Sequence, residues 1–276
     1  TLSSSSAASD VYKRQYLFFS QGHRFIYELK YKPDSTAENA EKVEMVLDIG
    51  KKEVKFSDLQ FLKVDSLSKK TGESWQINSQ TQQLLKRNLG EDKSLNYKDV
   101  MFDYYVIESD DKMNWQIAPE TKMLGEHQVQ KATTEFGGRK WTAWFSTDFP
   151  INEGPYKFRG LPGMIFEVSD SKKHYVYTLV KNYKLNEEND TKKFLETHYG
   201  KKPIKIDYKK LNELKLNHFN DPYSWARQSR KWSVNMNGVI YDKPEQLEEL
   251  KKIEQKRLRN RANDIELNHA VSYPDK

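Results

Sequence analysis

The sequence predicts an α+β protein built on one antiparallel β-sheet of about nine or ten strands, with helices set to its periphery. Three observations predict it. Between residues 24 and 183 the dominant hydrophobic period is two, which places apolar side chains on one face of an extended strand. Aromatic residues make up 13% of the 276 residues, with 16 Tyr, 13 Phe and 6 Trp, a usage that suits pleated strands. The turn signals join neighbouring runs at hairpin distance rather than through helices.

Taken in order, RFIYELKYK alternates Phe25, Tyr27, Leu29 and Tyr31 with polar neighbours, and KVEMVLDI places Val43, Met45, Leu47 and Ile49 on one side. EVKF, LQFLKV, MFDYYVIE, MNWQIA, HQVQKATTEF, RKWTAWFS, MIFEVS and HYVYTLVKNYKL complete the set. Gly137-Gly138 is a two-glycine hairpin signal between two of them. SDSKK links MIFEV to HYVYTLV through a short polar loop. Residues 72–96 are polar and rich in Gln and Asn, and read as a short helix or an excursion from the sheet.

Three segments are expected. Residues 1–21 combine SAASDVYKRQ, which resembles translated sequencing-adapter DNA, with YLFFSQG, the remnant of a signal-peptide apolar region. Residues 22–185 form the sheet, and residues 186–276 a helix and loop extension packed on it or partly flexible. DKPEQLEELKKIEQKRLRNRAND reads as a C-terminal helix. Asp242 and Glu245 form its capping box, Leu247, Leu250 and Ile253 a thin apolar stripe, and the charges run from acidic to basic.

Composition narrows the function. The net charge is +6, but both signs interleave and leave no single basic face, so no nucleic-acid partner is expected. Without cysteine there are no disulfides, thiolate metal sites or thiol catalysis. No apolar run approaches the roughly 20 residues of a spanning helix, so the chain is not expected to span a membrane. The six histidines show no metal-ligand spacing, and neither a nucleophile elbow nor a phosphate loop occurs, so no metal, cofactor or catalytic residue is assigned. Glu108, Asp110 and Asp111 read as a solvated turn, with a calcium site or an acid–base pair as the sharper alternative. A hydrolase resting on Asp103 and Glu108 is the least supported function.

The informative stretch is EGPYKFRGLPGMIFEV at 153–168. Leu161-Pro162-Gly163-Met164 has Pro and Gly at the centre of a type II turn, where Gly supplies a positive φ. Loop tips are normally polar because their backbone meets water, yet this one carries Ile151, Tyr156, Phe158, Leu161 and Met164. Either it folds inward as a structural plug or it forms a binding edge. Trp141 and Trp144 lie three residues apart on a strand and so face opposite ways. They are core residues or ligand contacts, and with Tyr156, Phe158, Leu161, Pro162 and Met164 they form the candidate ligand- or partner-binding set.

WTAWFS, FPI, EGPYKFRGLPGMIFEV and the following Asp are similar to the signature of the GLPGLI family, also called the Porph_ging domain, of exported Bacteroidota proteins. The name-giving motif stands at Gly160–Ile165 with Met164 in place of the second Leu, and weaker likeness runs from FIYELKYKPDST to ANDIEL. Members of the family often carry a Cys where Val129 stands, so no thiol role carries over. The resemblance implies a signal peptide and a periplasmic or secreted protein. The strand order with a late Gly-Leu-Pro loop also looks like the curved half-barrel of lipoprotein carriers. The expected function is non-enzymatic binding of an apolar ligand or an envelope partner; the alternative is an interaction subunit of a cell-surface complex with no pocket.

Overall fold

The computed structural model describes residues 22–236 and 238–274. The adapter-like stretch and signal-peptide remnant expected in residues 1–21 lie outside them. The fold is mostly β: a large, curved, open sheet of twelve strands with a few helices. In chain order the strands are β1 Gly22–Tyr31, β2 Glu41–Ile49, β3 Glu53–Asp58, β4 Leu84–Asn88, β5 Lys93–Val100, β6 Asp103–Asp110, β7 Gln116–Leu124, β8 His127–Phe136, β9 Arg139–Ser146, β10 Met164–Asp170, β11 Tyr175–Leu185 and β12 Ile204–Lys205. Across the sheet they run β12-β6-β5-β4-β3-β2-β1-β11-β10-β9-β8-β7. Pairing of β1 with β11 joins two antiparallel meanders, and the short β12 adds a parallel edge to β6. A two-stranded ribbon, β13 Val234–Met236 and β14 Val239–Tyr241, stands apart from the sheet.

The sheet is therefore larger than the nine or ten strands expected, and it departs from the expected set in two places, losing one strand and gaining others. LQFLKV is not a strand but lies in helix α1, Leu59–Thr71, where Phe61, Val64 and Ser68 are buried at helical spacing. The polar interruption at 72–96 instead holds β4 and the start of β5, which bury Arg87, Ser94 and Asn96. Buried polar side chains erase the hydrophobic alternation from which strands are read. The glycine hairpin forms as expected: Gly137 and Gly138 take φ of +61° and +77° between β8 and β9, a pair of left-handed residues that a two-residue hairpin needs. SDSKK closes β10 to β11, with the Asp170 carboxylate accepting from the Tyr175 amide at 2.8 Å.

Because adjacent strand residues point to opposite faces, Leu84 and Leu85 serve different cores. Leu85 joins the main core with Phe25, Tyr27, Leu47, Phe56 and Tyr177. Leu84 joins a second cluster with Tyr97 and Tyr104, covered by Phe61 of α1 and by Phe194 and Leu195 of a π-turn, Lys192–Glu196. A third cluster unites Ala226 of α3 (Ser224–Gln228), Tyr241 of the ribbon, and Leu247 and Leu250 of α4 (Leu247–Asn260). Helix α2, Tyr208–Asn220, is capped by the Asp207 side chain, which accepts from the Lys210 amide at 2.7 Å. At α4 the expected Asp242–Glu245 capping box is absent. Gln246 Oε1 accepts from the Asp242 and Lys243 amides at 3.1 and 3.0 Å, and a 3₁₀ turn at Pro244–Gln246 precedes the helix. Among the described residues no helix is long and apolar enough to cross a membrane.

The main core is closed by the β9–β10 connection, which folds back onto the sheet as a plug. Ile151, Tyr156, Phe158, Leu161 and Met164 are each at most 1% exposed, leaving Gly160 and Pro162 at the surface. Burying a Phe or Leu contributes about 2 kcal/mol each, so the plug is a principal source of stability. Its glycines act differently from the sequence expectation. Positive φ falls on Gly160, at +93°, and not on Gly163. Gly163 is required by contact instead: a Cβ there would lie 2.1 Å from the Ser146 carbonyl oxygen. Gly163→Ala is accordingly expected to destabilise by about 3 kcal/mol or more, whereas the exposed Pro162→Ala is expected to stay within about 1 kcal/mol; urea unfolding of both variants checks the contrast.

Candidate functional site

The plug is tied down by its own backbone. The Phe158 amide donates to Pro155 O at 3.1 Å, Gly160 to Asn152 O at 2.9 Å, and Met164 to Phe149 O at 3.1 Å. Tyr156 sits at the bend with φ of +55°, a left-handed conformation that is unfavourable for a bulky residue and is held by its surroundings. Phe158 forms the apolar centre, with ring centroids of Trp141 at 4.5 Å, Phe136 at 5.8 Å and Tyr177 at 6.2 Å.

Three charged residues alternate with those aromatics and are buried with them. Glu153 is fully buried and accepts from the Arg87 guanidinium of β4, with Arg159 Nε 3.5 Å from its other oxygen. Arg159 also pairs with Asp92 and donates to Glu91 O at 2.9 Å. Lys157 is 1% exposed and lies 3.0 Å from Asp111 Oδ1, 2.9 and 3.2 Å from the two Glu266 oxygens, and 3.2 Å from the Tyr208 hydroxyl. Tyr156 donates its hydroxyl to Glu266 at 2.5 Å. Burial alone would lower the Lys157 pKa, but the facing charges of Glu266 and Asp111 and the Tyr208 hydroxyl outweigh it and raise the value. Burial likewise pushes Glu266 up, and Lys157 with the Tyr156 hydrogen bond brings it below the ordinary range.

Glu266 arrives from far along the chain because the β8–β9 hairpin clasps the segment 263–269. Gly137 O accepts from the Leu267 amide at 2.6 Å, and a Cβ on Gly137 would come within 3.0 Å of Glu266. Arg139, beside the hairpin, donates to Ile265 O at 3.0 Å, to Asn263 Oδ1 and Asp264 O at 2.7 Å each, and pairs with Asp170 at 3.1 Å.

Between this segment, the plug, β5 and α2 lies a cavity of about 210 Å³. Its wall includes Tyr31, Tyr156, Tyr175 and Tyr208, the charged Lys98, Lys215, Arg261, Asp99, Asp264 and Glu266, and His269, whose ring stacks on Tyr208 with centroids 3.7 Å apart. Burial lowers the Lys98 amine to about 8. Burial also lowers His269, so its imidazole is neutral at pH 7.

Of the seven residues singled out from the sequence, Tyr156 alone lines this cavity. Trp141 is a core residue whose indole donates to Phe136 O at 3.0 Å. Trp144 faces the other side, half-buried beneath the Lys122 ammonium at 4.3 Å from the ring. Phe158, Leu161 and Met164 are interior, and Pro162 is exposed at the tip. The sequence reading missed Lys98, Glu153, Lys157, Arg159, Tyr208 and Glu266. Charges placed every few residues inside an otherwise apolar loop, at 153, 157 and 159, were the available signal. The acidic run divides: Asp111 turns in to Lys157, while Glu108 pairs with Lys205 at 3.3 Å. Asp103 and Glu108 stand five residues apart on β6, hence on opposite faces, and do not converge. Among the described residues no three His, Asp or Glu side chains are grouped to hold a metal ion.

The model of the family described as "Protein of unknown function (Porph_ging)" matches residues 135–167, the β8–β9 turn, β9, the plug and the start of β10, in agreement with the resemblance read from the motif. No curated protein matches the sequence. Two solved structures, titled "Structure of PNGF-II in C2 space group" and "Structure of PNGF-II in P21 space group", are similar over 79% of this chain, with 11% and 10% identity and TM-scores of 0.50 and 0.49. This chain spans 35% of the length of those chains, and the likeness to the first is one of fold.

Removing the ammonium that joins Asp111 and Glu266 leaves two buried carboxylates facing each other. Lys157→Met is expected to cost about 3–5 kcal/mol near neutral pH. The sign with pH follows from Glu266, whose folded pKa is depressed below 4.5. In the wild type its contribution is complete above about 4.5 and is lost as pH falls through the lower folded value. In the variant, acidification neutralises the stranded Glu266 carboxylate, so its deficit against wild type is expected to shrink between pH 7 and pH 4, as measured by urea unfolding across that range.

Proposed function

We propose that this chain, which carries the Porph_ging signature, is a non-enzymatic exported protein of the cell envelope that works by binding, and that the tyrosine-walled cavity is its binding site. The observation that carries the proposal is the filled main core. With Phe158, Leu161 and Met164 each at most 1% exposed, an apolar ligand seated in the hollow of a carrier-like half-barrel would have to displace the plug. The cavity beside Tyr156 requires no such displacement, and its mixture of aromatic walls with a few convergent polar groups is the usual chemistry of a small-molecule site. The geometry thus favours a small polar ligand over the apolar one expected from the sequence. Export rests on the YLFFSQG stretch and on the family resemblance. Catalysis has little support, since Asp111 and Glu266, two carboxylates brought together, are both buried and tied up in ion pairs to the same ammonium of Lys157.

One further observation favours the interaction-subunit reading as a second function. Met101 and Phe102, at the β5–β6 turn, are 45% and 57% exposed, and Ile204 on the adjoining β12 is 52% exposed. They form an apolar edge suited to a protein partner.

Leu211 of α2 is buried in the cavity wall, and Leu211→Trp would fill the space. Protein isolated from the envelope of expressing cells, then denatured and profiled by mass spectrometry, is expected to release a small polar compound that the Leu211→Trp protein lacks. Identical profiles from the two proteins would move the function to the Met101–Phe102 surface.

A further inference from the structure

We propose that the cavity accepts a small organic anion, a carboxylate on a flat or apolar body, with Lys98 as its counter-ion and the tyrosines as its walls. The inference rests on the reading that this cavity is the binding site, and it specifies the ligand class. Each of the other charges in the wall already has a partner. Glu266 is committed to Lys157 and Tyr156. Asp264 pairs with Lys215 at 3.3 Å, Arg261 with Glu41 at 2.7 Å, and Asp99 accepts from the side-chain Nε2 of Gln82 at 2.7 Å. Lys98 is different. Its ammonium donates to the Gln82 carbonyl, and among the described residues no carboxylate lies within ion-pair distance of it. A half-buried ammonium held without a carboxylate is poorly compensated, and an entering anion would supply the missing charge.

The remaining wall groups suit the rest of such a ligand. The Tyr208 hydroxyl accepts from Lys157, which leaves its own proton to donate toward the cavity. Tyr31, Tyr156 and Tyr175 spend their hydroxyls on Glu41, Glu266 and the Asn263 carbonyl, so they present ring surface. Leu211 and Ile265 add apolar area. A flat or apolar body against these rings, with its charged end at Lys98, uses both kinds of surface.

The groups around Lys98 also set the pH behaviour. Glu266 and Asp264 favour its charged form, Lys157 and Lys215 oppose it, and burial dominates, leaving the amine at about 8. His269 is already neutral at pH 7, Tyr208 is raised to about 12, and Tyr31, Tyr156, Tyr175 and Arg261 are shifted upward. Of these shifted groups Lys98 alone titrates between pH 7 and pH 9.5. An anion binds its charged form, so affinity is complete below about 8 and falls as the amine deprotonates.

The test is isothermal titration of the full chain with benzoate, benzamide and inorganic phosphate at about pH 7 and pH 9.5, repeated with Lys98→Met, Lys98→Arg and Leu211→Trp. Benzoate stays ionised across this range, so a change in its binding reports the protein. The expected result is benzoate binding that weakens roughly ten-fold or more at the higher pH, is lost in Lys98→Met and Leu211→Trp, and survives in Lys98→Arg without the pH dependence. Benzamide is expected to bind at least ten-fold more weakly. Phosphate binding as tight as benzoate would overturn the organic body of the ligand. Equal binding of benzoate and benzamide, or unchanged binding in Lys98→Met, would overturn the anion assignment while leaving the cavity as a site. Benzoate binding that Leu211→Trp leaves intact, or no binding by the wild type at millimolar concentration, would overturn the inference, the former by moving the binding outside the cavity.

Discussion

Two buried ion-paired groups hold the plug on the sheet: Glu153 with Arg87 and Arg159, and Lys157 with Asp111 and Glu266. Charge taken out of water is costly, and it persists in a protein interior only where partners and hydrogen bonds replace the lost solvation. Here the partners come from distant parts of the chain: β4, the segment after β6, and the stretch near residue 266. Each plug charge therefore fixes a long-range contact. The apolar residues between them, Tyr156, Phe158 and Leu161, supply the burial energy, and the charges specify where that burial takes place. Removing either kind of residue has a different consequence. An apolar truncation leaves a cavity, and a charge truncation leaves an unpaired ion.

The same arrangement shapes the proposed site. Tyr156 takes its positive φ at the turn between Glu153 and Lys157, each anchored to a different partner. That turn aims the Tyr156 hydroxyl at Glu266 and its ring at the cavity. The double-glycine hairpin then brings in Glu266 itself, since side chains at Gly137 and Gly138 would crowd the segment they clasp. The matched stretch, residues 135–167, holds both the hairpin and the plug. The Porph_ging signature is in physical terms the part of the chain that closes the core and builds one wall of the cavity.

Much of the sheet was legible because its strands obey the alternation rule. Phe25, Tyr27, Leu29 and Tyr31 face one core, and the Gly137-Gly138 turn announces its hairpin. Legibility failed wherever polar side chains were buried. Strands β4 and β5 were hidden because Arg87, Ser94 and Asn96 point inward, and Arg87 does so to meet Glu153. LQFLKV, the first part of helix α1, reads as a strand because it is short enough to satisfy either period. The apolar residues of the Gly-Leu-Pro loop allow either an inward plug or a binding edge, and their burial decides for the plug; the role of Gly163 is not legible, because a close approach to Ser146 leaves no mark on the local sequence. The cavity was illegible for a related reason: Lys98, Tyr208 and Glu266 are far apart in sequence and meet only through the clasped C-terminal segment.

The most direct test of this account is a double-mutant cycle on Arg87→Met and Glu153→Met, read by equilibrium urea unfolding. If the pair anchors the plug, each single variant loses several kcal/mol, about 3–5, because it strands a buried charge, and the double variant recovers at least half of the summed loss, giving a coupling energy well above 1 kcal/mol. Additive losses, with the double variant as unstable as the two singles together, would show that the two side chains do not depend on each other and would contradict the account.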